Sequence, residues 1–265
     1  MGGELVRMEN ITKTYGRVQA VQDVSVTLNE REILGLVGDN GAGKSTLIKV
    51  LAGATRADCG NIYFKGKPVK IENTTDAIRL GIETIYQDSA LVAQLSVARN
   101  LFLGREPTRR VGFANVLDKA YMKSETGTLL RRVGIKKAID SDAPITALSG
   151  GERQSIAIAR AMFFEADLII MDEPTNNLGV EESQGVLRFM REAKEAGHSC
   201  IFITHNIYHV FRVVDRIVIL RRGRLVGDVR RDETTIEEIE KVITGMLDAR
   251  TSDLPPCENR GLPQA

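Results

Sequence analysis

The stretch Gly38-Asp39-Asn40-Gly41-Ala42-Gly43-Lys44-Ser45-Thr46 constrains this chain more than any other. It follows the spacing G-x-x-x-x-G-K-[ST]. The short apolar run Glu32-Ile33-Leu34-Gly35-Leu36-Val37 precedes it, and Leu47, Ile48, Val50 and Leu51 follow at helical spacing. A buried strand, a glycine-rich turn and a helix N-terminus in that order make a phosphate cradle. The three glycines let successive backbone N–H groups turn inward toward an anion. Lys44 is then placed to reach the β- and γ-phosphates of a nucleotide, and the Ser45 hydroxyl to take Mg²⁺. An ordinary glycine turn also satisfies the bare spacing; the strand before it and the helix after it favour the nucleotide.

Upstream, residues 5–37 alternate apolar and polar positions, as in Val24-Ser25-Val26-Thr27-Leu28, which predicts short antiparallel strands leading into the loop. Tyr15 sits at a turn between two of them, where an aromatic ring can stack on a base or simply pack. Downstream, residues 60–69 predict a hairpin turning at Lys65-Gly66-Lys67, residues 75–81 a short helix, and Ile82-Glu83-Thr84-Ile85-Tyr86 a strand ending at Gln87. Open α/β sheets bind ligands at such strand ends.

From about residue 90 to 145 the pattern turns helical, over Val97–Leu103 and over an amphipathic stretch from Asp118 to Val133. The segment Gly104-Arg105-Glu106-Pro107-Thr108-Arg109-Arg110 between them reads as an exposed basic loop. The whole segment reads as a helical subdomain inserted into the α/β core. Leu148-Ser149-Gly150-Gly151-Glu152 opens a long helix with Ile156, Ile158, Ala159 and Met162 on its apolar face. Ser149 is placed to cap it, and the glycines leave its first N–H groups open to an anion.

Asp167-Leu168-Ile169-Ile170-Met171-Asp172-Glu173-Pro174 is a buried strand with an acidic tip. There Asp172 suits Mg²⁺ and Glu173 suits orienting or deprotonating an attacking water. Ser199–His205 is a second such strand, ending in a histidine. Helices over about 180–196 and 206–214 alternate with these strands, as an α/β fold requires. A hairpin over 216–229 follows, and Thr235 to Glu238 has capping-box spacing at the start of a last helix through Ile239, Val242 and Met246. After Arg250 the composition predicts a disordered tail, residues 251–265.

Composition narrows the classes. A net charge of +1 gives no field favouring nucleic acid, and no apolar run approaches membrane-spanning length. With no signal-peptide core the chain is expected in the cytoplasm. Cys59, Cys200 and Cys257 have no metal-site or disulfide spacing and read as buried or incidental thiols.

Together, Tyr15, Gly38 to Thr46, Gln87, Leu148 to Glu152, Leu168 to Glu173 and His205 resemble the ATP-binding-cassette ATPases over residues 4–247. The segment Leu148 to Glu152 is the most diagnostic, because other phosphate-loop enzymes lack it. The resemblance implies an α/β fold. Its phosphate-loop NTPase core would have a mainly parallel central sheet, an N-terminal antiparallel β subdomain, and an inserted helical subdomain, about 90–165, carrying the signature. It implies ATP and Mg²⁺ as ligands. Tyr15 would stack on adenine, residues Gly38, Asp39, Asn40, Gly41, Ala42, Gly43, Lys44, Ser45 and Thr46 would hold the phosphates, and Ser45, Asp172 and Gln87 would serve the metal. Glu173, His205 and Gln87 would be catalytic. Ser149, Gly150, Gly151 and Glu152 would act on the nucleotide of a second copy in a head-to-tail dimer formed with ATP.

More narrowly, Asn100-Leu101-Phe102-Leu103-Gly104-Arg105-Glu106-Pro107 looks like the single-cassette ribose/fructose/xylose-type sugar importers. That resemblance implies a peripheral subunit on the cytoplasmic face of the cell membrane, hydrolysing ATP to energise sugar uptake. Its partners would be a membrane permease and, indirectly, an external sugar-binding protein, with no nucleic acid. In one place the chain departs from the pattern. Asn177-Leu178-Gly179-Val180 puts glycine where the family usually has an aspartate that helps join the two cassettes. Two other readings compete: a soluble cassette ATPase acting on ribosomes or DNA, and a phosphate-loop kinase, which leaves Leu148 to Glu152 unexplained.

Overall fold

The computed structural model describes residues 3–85, 91–132, 139–163, 166–176 and 179–247. Gln87, Asn177, Leu178, Cys257 and the expected tail lie outside them. The chain begins with β1 (Glu4–Tyr15) and β2 (Val18–Asn29), two antiparallel strands of 12 residues each where several short ones were expected. The register shifts around Asn10 and Asp23, both at positive φ, and this breaks the period-2 pattern into short runs. Side chains replace the lost ladder bonds: the Asn10 N–H donates to Ser25 Oγ at 2.9 Å and the Asp23 N–H to Thr12 Oγ1 at 3.1 Å. β3 (Ile33–Val37) then enters the phosphate loop and α1 (Lys44–Leu51) leaves it. The expected hairpin follows as β4 (Cys59–Phe64) and β5 (Lys67–Val69), giving a four-stranded sheet in the order β2-β1-β4-β5.

After α2 (Thr74–Arg79) and β6 (Ile82–Ile85) comes the helical subdomain: α3 (Val97–Leu101), α4 (Lys119–Arg132) and α5 (Gly150–Phe163). Its own small core joins Leu101, Phe102, Met122, Leu129, Leu130, Ile156 and Ala159. The expected basic loop is partly a two-stranded hairpin, β7 (Thr108–Val111) with β8 (Ala114–Leu117). No sequence periodicity marked it, because nearly all its side chains are exposed and neither face packs on a core.

The central sheet is completed by β9 (Leu168–Asp172), β10 (Ser199–Ile203), β11 (Arg216–Arg221) and β12 (Arg224–Arg230). Its order is β12-β11-β3-β10-β9-β6, parallel throughout except for the antiparallel edge strand β12. Every residue of β3, β9 and β10 is buried, as strands covered on both faces must be. Successive residues alternate between two cores. Ile169, Met171, Cys200, Phe202, Ile217 and Ile219 pack on one face. There they meet α6 (Val180–Glu195), α7 (Ile207–Phe211) and α8 (Ile236–Thr244). Leu168, Ile170, Ile201, Ile203, Val218 and Leu220 pack on the other, against α1 and the antiparallel sheet. Each such side chain contributes on the order of 1.5–3 kcal/mol when fully buried.

One polar side chain ties the two sheets together. Arg216 Nε donates to Glu32 Oε1 at 2.7 Å, and Nη1 donates to both oxygens of Asp228 at 2.7 and 2.8 Å. A further bond goes from Nη2 to the Thr27 carbonyl on β2. Burial opposes the charge on Arg216, but its hydrogen bond to Glu32 and the Asp228 carboxylate more than offset that and raise its pKa. The last helix is capped as expected, with Thr235 and Glu238 forming a reciprocal capping box. It stops at Gly245 (φ 79°), so Met246 lies beyond it and is exposed rather than on its apolar face.

Candidate functional site

The phosphate loop is built by close backbone approach. Gly38 has φ 145°, and a Cβ there would lie 2.1 Å from the Leu220 carbonyl oxygen. Gly43 has φ 103°, caps α1, and would meet the Ala20 carbonyl oxygen at 2.5 Å. The β11–β12 turn braces the loop from outside: the Gly223 N–H donates to the Ala42 carbonyl at 2.9 Å, and the Gln22 N–H donates to the Gly223 carbonyl at 2.7 Å. The sequence held no signal for this brace beyond an Arg222-Gly223 turn, because its partners are far apart in the chain. No acidic residue occupies the first turn of α1, so the positive end of that helix is open to an anion.

Lys44 is nearly buried, 6 % exposed, and its Nζ donates to the carbonyls of Gly38 at 2.5 Å and Asp39 at 2.9 Å. Burial lowers its pKa, against the raising charges of Glu173, Asp172 and Asp39. An ammonium in that state gains from a nearby anion. Asp172 ends β9 near the Ser45 hydroxyl, which favours its charged form, while its Oδ1 is buried with no hydrogen-bond partner among the described residues. Its pKa is raised, by burial first and by Glu173 second.

Glu173 turns away from the strand at φ 51°. Its N–H donates to the Ile203 carbonyl at 2.9 Å, and both carboxylate oxygens lie at 3.0 and 3.1 Å from His205 Nδ1. Pairing of Ile203 with Asp172 on one side and Leu36 on the other brings these groups to the same sheet edge as the loop. His205 is half exposed and lines a cavity of about 480 Å³ together with Gly38, Asp39, Asn40, Glu240 and Thr244. A hollow of about 520 Å³ between β4, β5 and Arg56 touches none of the expected site residues. Among the described residues no three His, Cys, Asp or Glu side chains are grouped to hold a metal by themselves.

Tyr15 ends β1 opposite Val18, 47 % exposed, with Lys13 Nζ 5.5 Å from its ring centre. It lies near the loop because Ala20, two residues past Val18, abuts Gly43. The signature sits elsewhere, on the helical subdomain. Ser149 Oγ accepts from the Glu152 N–H at 3.2 Å and Glu152 Oε2 accepts from the Ser149 N–H at 2.8 Å. The expected cap is therefore present, as a full capping box. The cavity beside the phosphate loop is lined by Gly38 to Asn40, His205 and α8, with neither Ser149 to Glu152 nor the Asp172–Glu173 pair in its wall.

Asn100 has a role in the fold beyond the short family motif that contains it. It is fully buried, accepts from the Val92 N–H at 2.7 Å and donates to the carbonyls of Val92, Leu95 and Ser96 at 3.1 Å each. It thereby pins the segment that returns from Gln87 to the helical subdomain. Its signal was a lone amide inside an apolar helical run. Cys200 is buried, its thiol pushed up to about 12 by burial, and Cys59 is exposed.

Comparison with known proteins agrees with this geometry. The profile of the ABC transporter family matches residues 21–176. The chain is 42% identical to the xylose/arabinose import ATP-binding protein of Sulfolobus acidocaldarius over 91% of this chain and 94% of that one. It is 39% identical to the fructose import ATP-binding protein of Rhizobium meliloti, with the same two coverages. Among solved structures, the ATP-binding cassette of an ABC transporter in its ADP conformation superposes with a TM-score of 0.76 at 25% identity, covering 91% of this chain and 95% of that one. A dimeric cassette in a post-hydrolysis state, bound to ADP and phosphate, has a TM-score of 0.74 at 21% identity, over 86% and 99%. With a matching profile over more than half its length and full-length relatives at this identity, the chain belongs to the ABC transporter family.

Proposed function

We propose that the chain hydrolyses ATP as the energising subunit of a sugar importer. The observation that carries the proposal is the meeting of Lys44, Asp172 and the Glu173–His205 pair at the phosphate-loop end of three adjacent parallel strands. Tyr15 offers a half-exposed ring for adenine, and the α1 N-terminus with Lys44 takes the phosphates. On nucleotide entry Lys44 exchanges the two loop carbonyls for phosphate oxygens. The unpartnered Oδ1 of Asp172 beside the Ser45 hydroxyl fits a hard, oxygen-loving cation, so these two residues, with Gln87, would hold Mg²⁺. That ion would neutralise charge on the β- and γ-phosphates.

Glu173 orients the attacking water and accepts its proton as oxygen bonds to the γ-phosphorus; the bond to the bridging oxygen breaks, and its electron pair leaves with ADP. With Nδ1 of His205 engaged by Glu173, the ring's Nε2 is left for a γ-phosphate oxygen, so one ring bridges the two groups. The signature of a second copy closes the site from the other side, giving a head-to-tail dimer with two composite sites. The dimeric cassette of similar fold supports this arrangement, and the names of the full-length relatives support import of a simple sugar.

On this reading the subunit lies peripherally on the cytoplasmic face of a membrane permease that receives sugar from an external binding protein. Among the described residues no helix is long and apolar enough to cross a membrane. Co-purification with the permease, reconstitution, and assay with binding protein and xylose, arabinose, ribose or fructose test the function. ATPase activity should rise with at least one sugar and vanish in Lys44→Ala. Activity indifferent to every sugar, or raised by nucleic acid instead, would overturn it.

A further inference from the structure

Glu83 occupies an unusual position for a carboxylate. It lies on β6 opposite Ile169, on the sheet face where Ile85 and Ile169 join the apolar core, and it is only 8 % exposed. An apolar side chain would ordinarily fill such a place. Two guanidinium groups reach it from different parts of the helical subdomain. Arg160 Nη2, on α5, lies 3.7 Å from Oε1, and Arg105 Nη2, just past α3, lies 3.9 Å from Oε2. Burial raises the Glu83 pKa, and Arg160 and then Arg105 oppose the rise.

Among the described side chains, few apolar ones join the helical subdomain to the sheet. Ile156 and Ala159 of α5 belong to the subdomain's own core, and only the small Ala157 joins the sheet's core from the described side chains of this helix. Where polar contacts join two packed bodies, relative motion is possible unless something fixes the angle. Both contacts are longer than a hydrogen bond, so Glu83 holds the subdomain through charge attraction from two directions.

We infer that Glu83 is a positioning residue, the pivot that sets the angle between the sheet and the helical arm bearing Ser149 to Glu152. Arg160 lies about ten residues along α5 from Gly150, or roughly 15 Å. Rotation around Glu83 is therefore carried along that lever to the helix start, where a hydrogen bond to phosphate tolerates little displacement. The link to turnover rests on the ATPase reading above; the link to arm angle does not.

Nitroxide labels test it in the whole chain, one at Cys59 on β4 and one at Ser124→Cys on α4, with Cys257→Ser. Cys200 is buried and stays unlabelled. Without nucleotide, the parent should give one narrow interlabel distance distribution and Glu83→Gln a broadened one. Nucleotide Kd should stay within about twofold, while kcat in the permease complex should fall about tenfold. Arg160→Gln should broaden the distribution similarly and the double variant no further, because the two act as one contact. Should Glu83→Gln fail to fold, Arg105→Gln, at the more exposed end, should broaden the distribution part-way. An unchanged distribution in the variants that fold, or a kcat loss matched by an equal loss of nucleotide affinity, would overturn the role. A parent chain without ATPase activity would sink the ATPase reading alone and leave the distance measurement to judge Glu83.

Discussion

Glu173 shows what a single residue concedes to reach its place. At φ 51° a non-glycine side chain is held in the left-handed region, at a cost of about 1–3 kcal/mol. The surroundings hold it there: the Ile203 carbonyl takes its N–H and His205 takes its carboxylate. The acidic pair at the end of an apolar run was legible in sequence. The turn that points the two carboxylates apart was not, because positive φ at a glutamate has no compositional mark. Glu173→Gln keeps shape and one acceptor for His205 but cannot take a proton. It should lower kcat by about a hundredfold or more while leaving nucleotide binding intact. Parallel measurement of ATPase rate and ATP affinity checks this, and near-normal turnover would remove Glu173 from the proton path.

Strands were the most legible elements, because burial on both faces leaves near-continuous apolar runs such as Leu168 to Met171. Exposed elements were the least legible, as β7 and β8 show. Between these lies α6, whose span was readable but whose start has a consequence of its own. Gly179 is its N-cap, with φ −67° and ψ 174°, and offers no side chain to the first N–H groups. That backbone geometry suits aspartate without strain. Gly179→Asp should therefore stabilise the chain by a few tenths of a kcal/mol, about 1 °C in Tm. In the proposed head-to-tail dimer it would also restore the aspartate that the family resemblance puts between the cassettes, so ATP hydrolysis in the permease complex should become more cooperative. Calorimetry and the Hill coefficient report the two effects separately. An unchanged Tm would count against the capping argument, and an unchanged Hill coefficient against the coupling one.

At the scale of the molecule, the sheet, its two cores and the inserted arm follow from alternation and from the phosphate loop's demand for a strand before it and a helix after it. On the proposed reading the chain does not close its site by itself, and Ser149 to Glu152, which cap their own helix, serve the nucleotide of a second copy. Complementation decides whether a second copy supplies that side. Lys44→Ala removes the phosphate ligand, and Ser149→Arg replaces the cap hydroxyl with a bulky cation at the helix start. Each homodimer then has two spoiled sites. A mixed dimer keeps one intact pair, the Lys44 of one protomer facing the Ser149 of the other, and random pairing makes about half of all dimers mixed. Co-expressing both variants equally with the permease should thus restore about a quarter of parental ATPase activity if the two sites turn over independently. Where one site needs its neighbour, recovery will be smaller but still above the mean of the two parent variants. Activity equal to that mean would place the whole site within one chain.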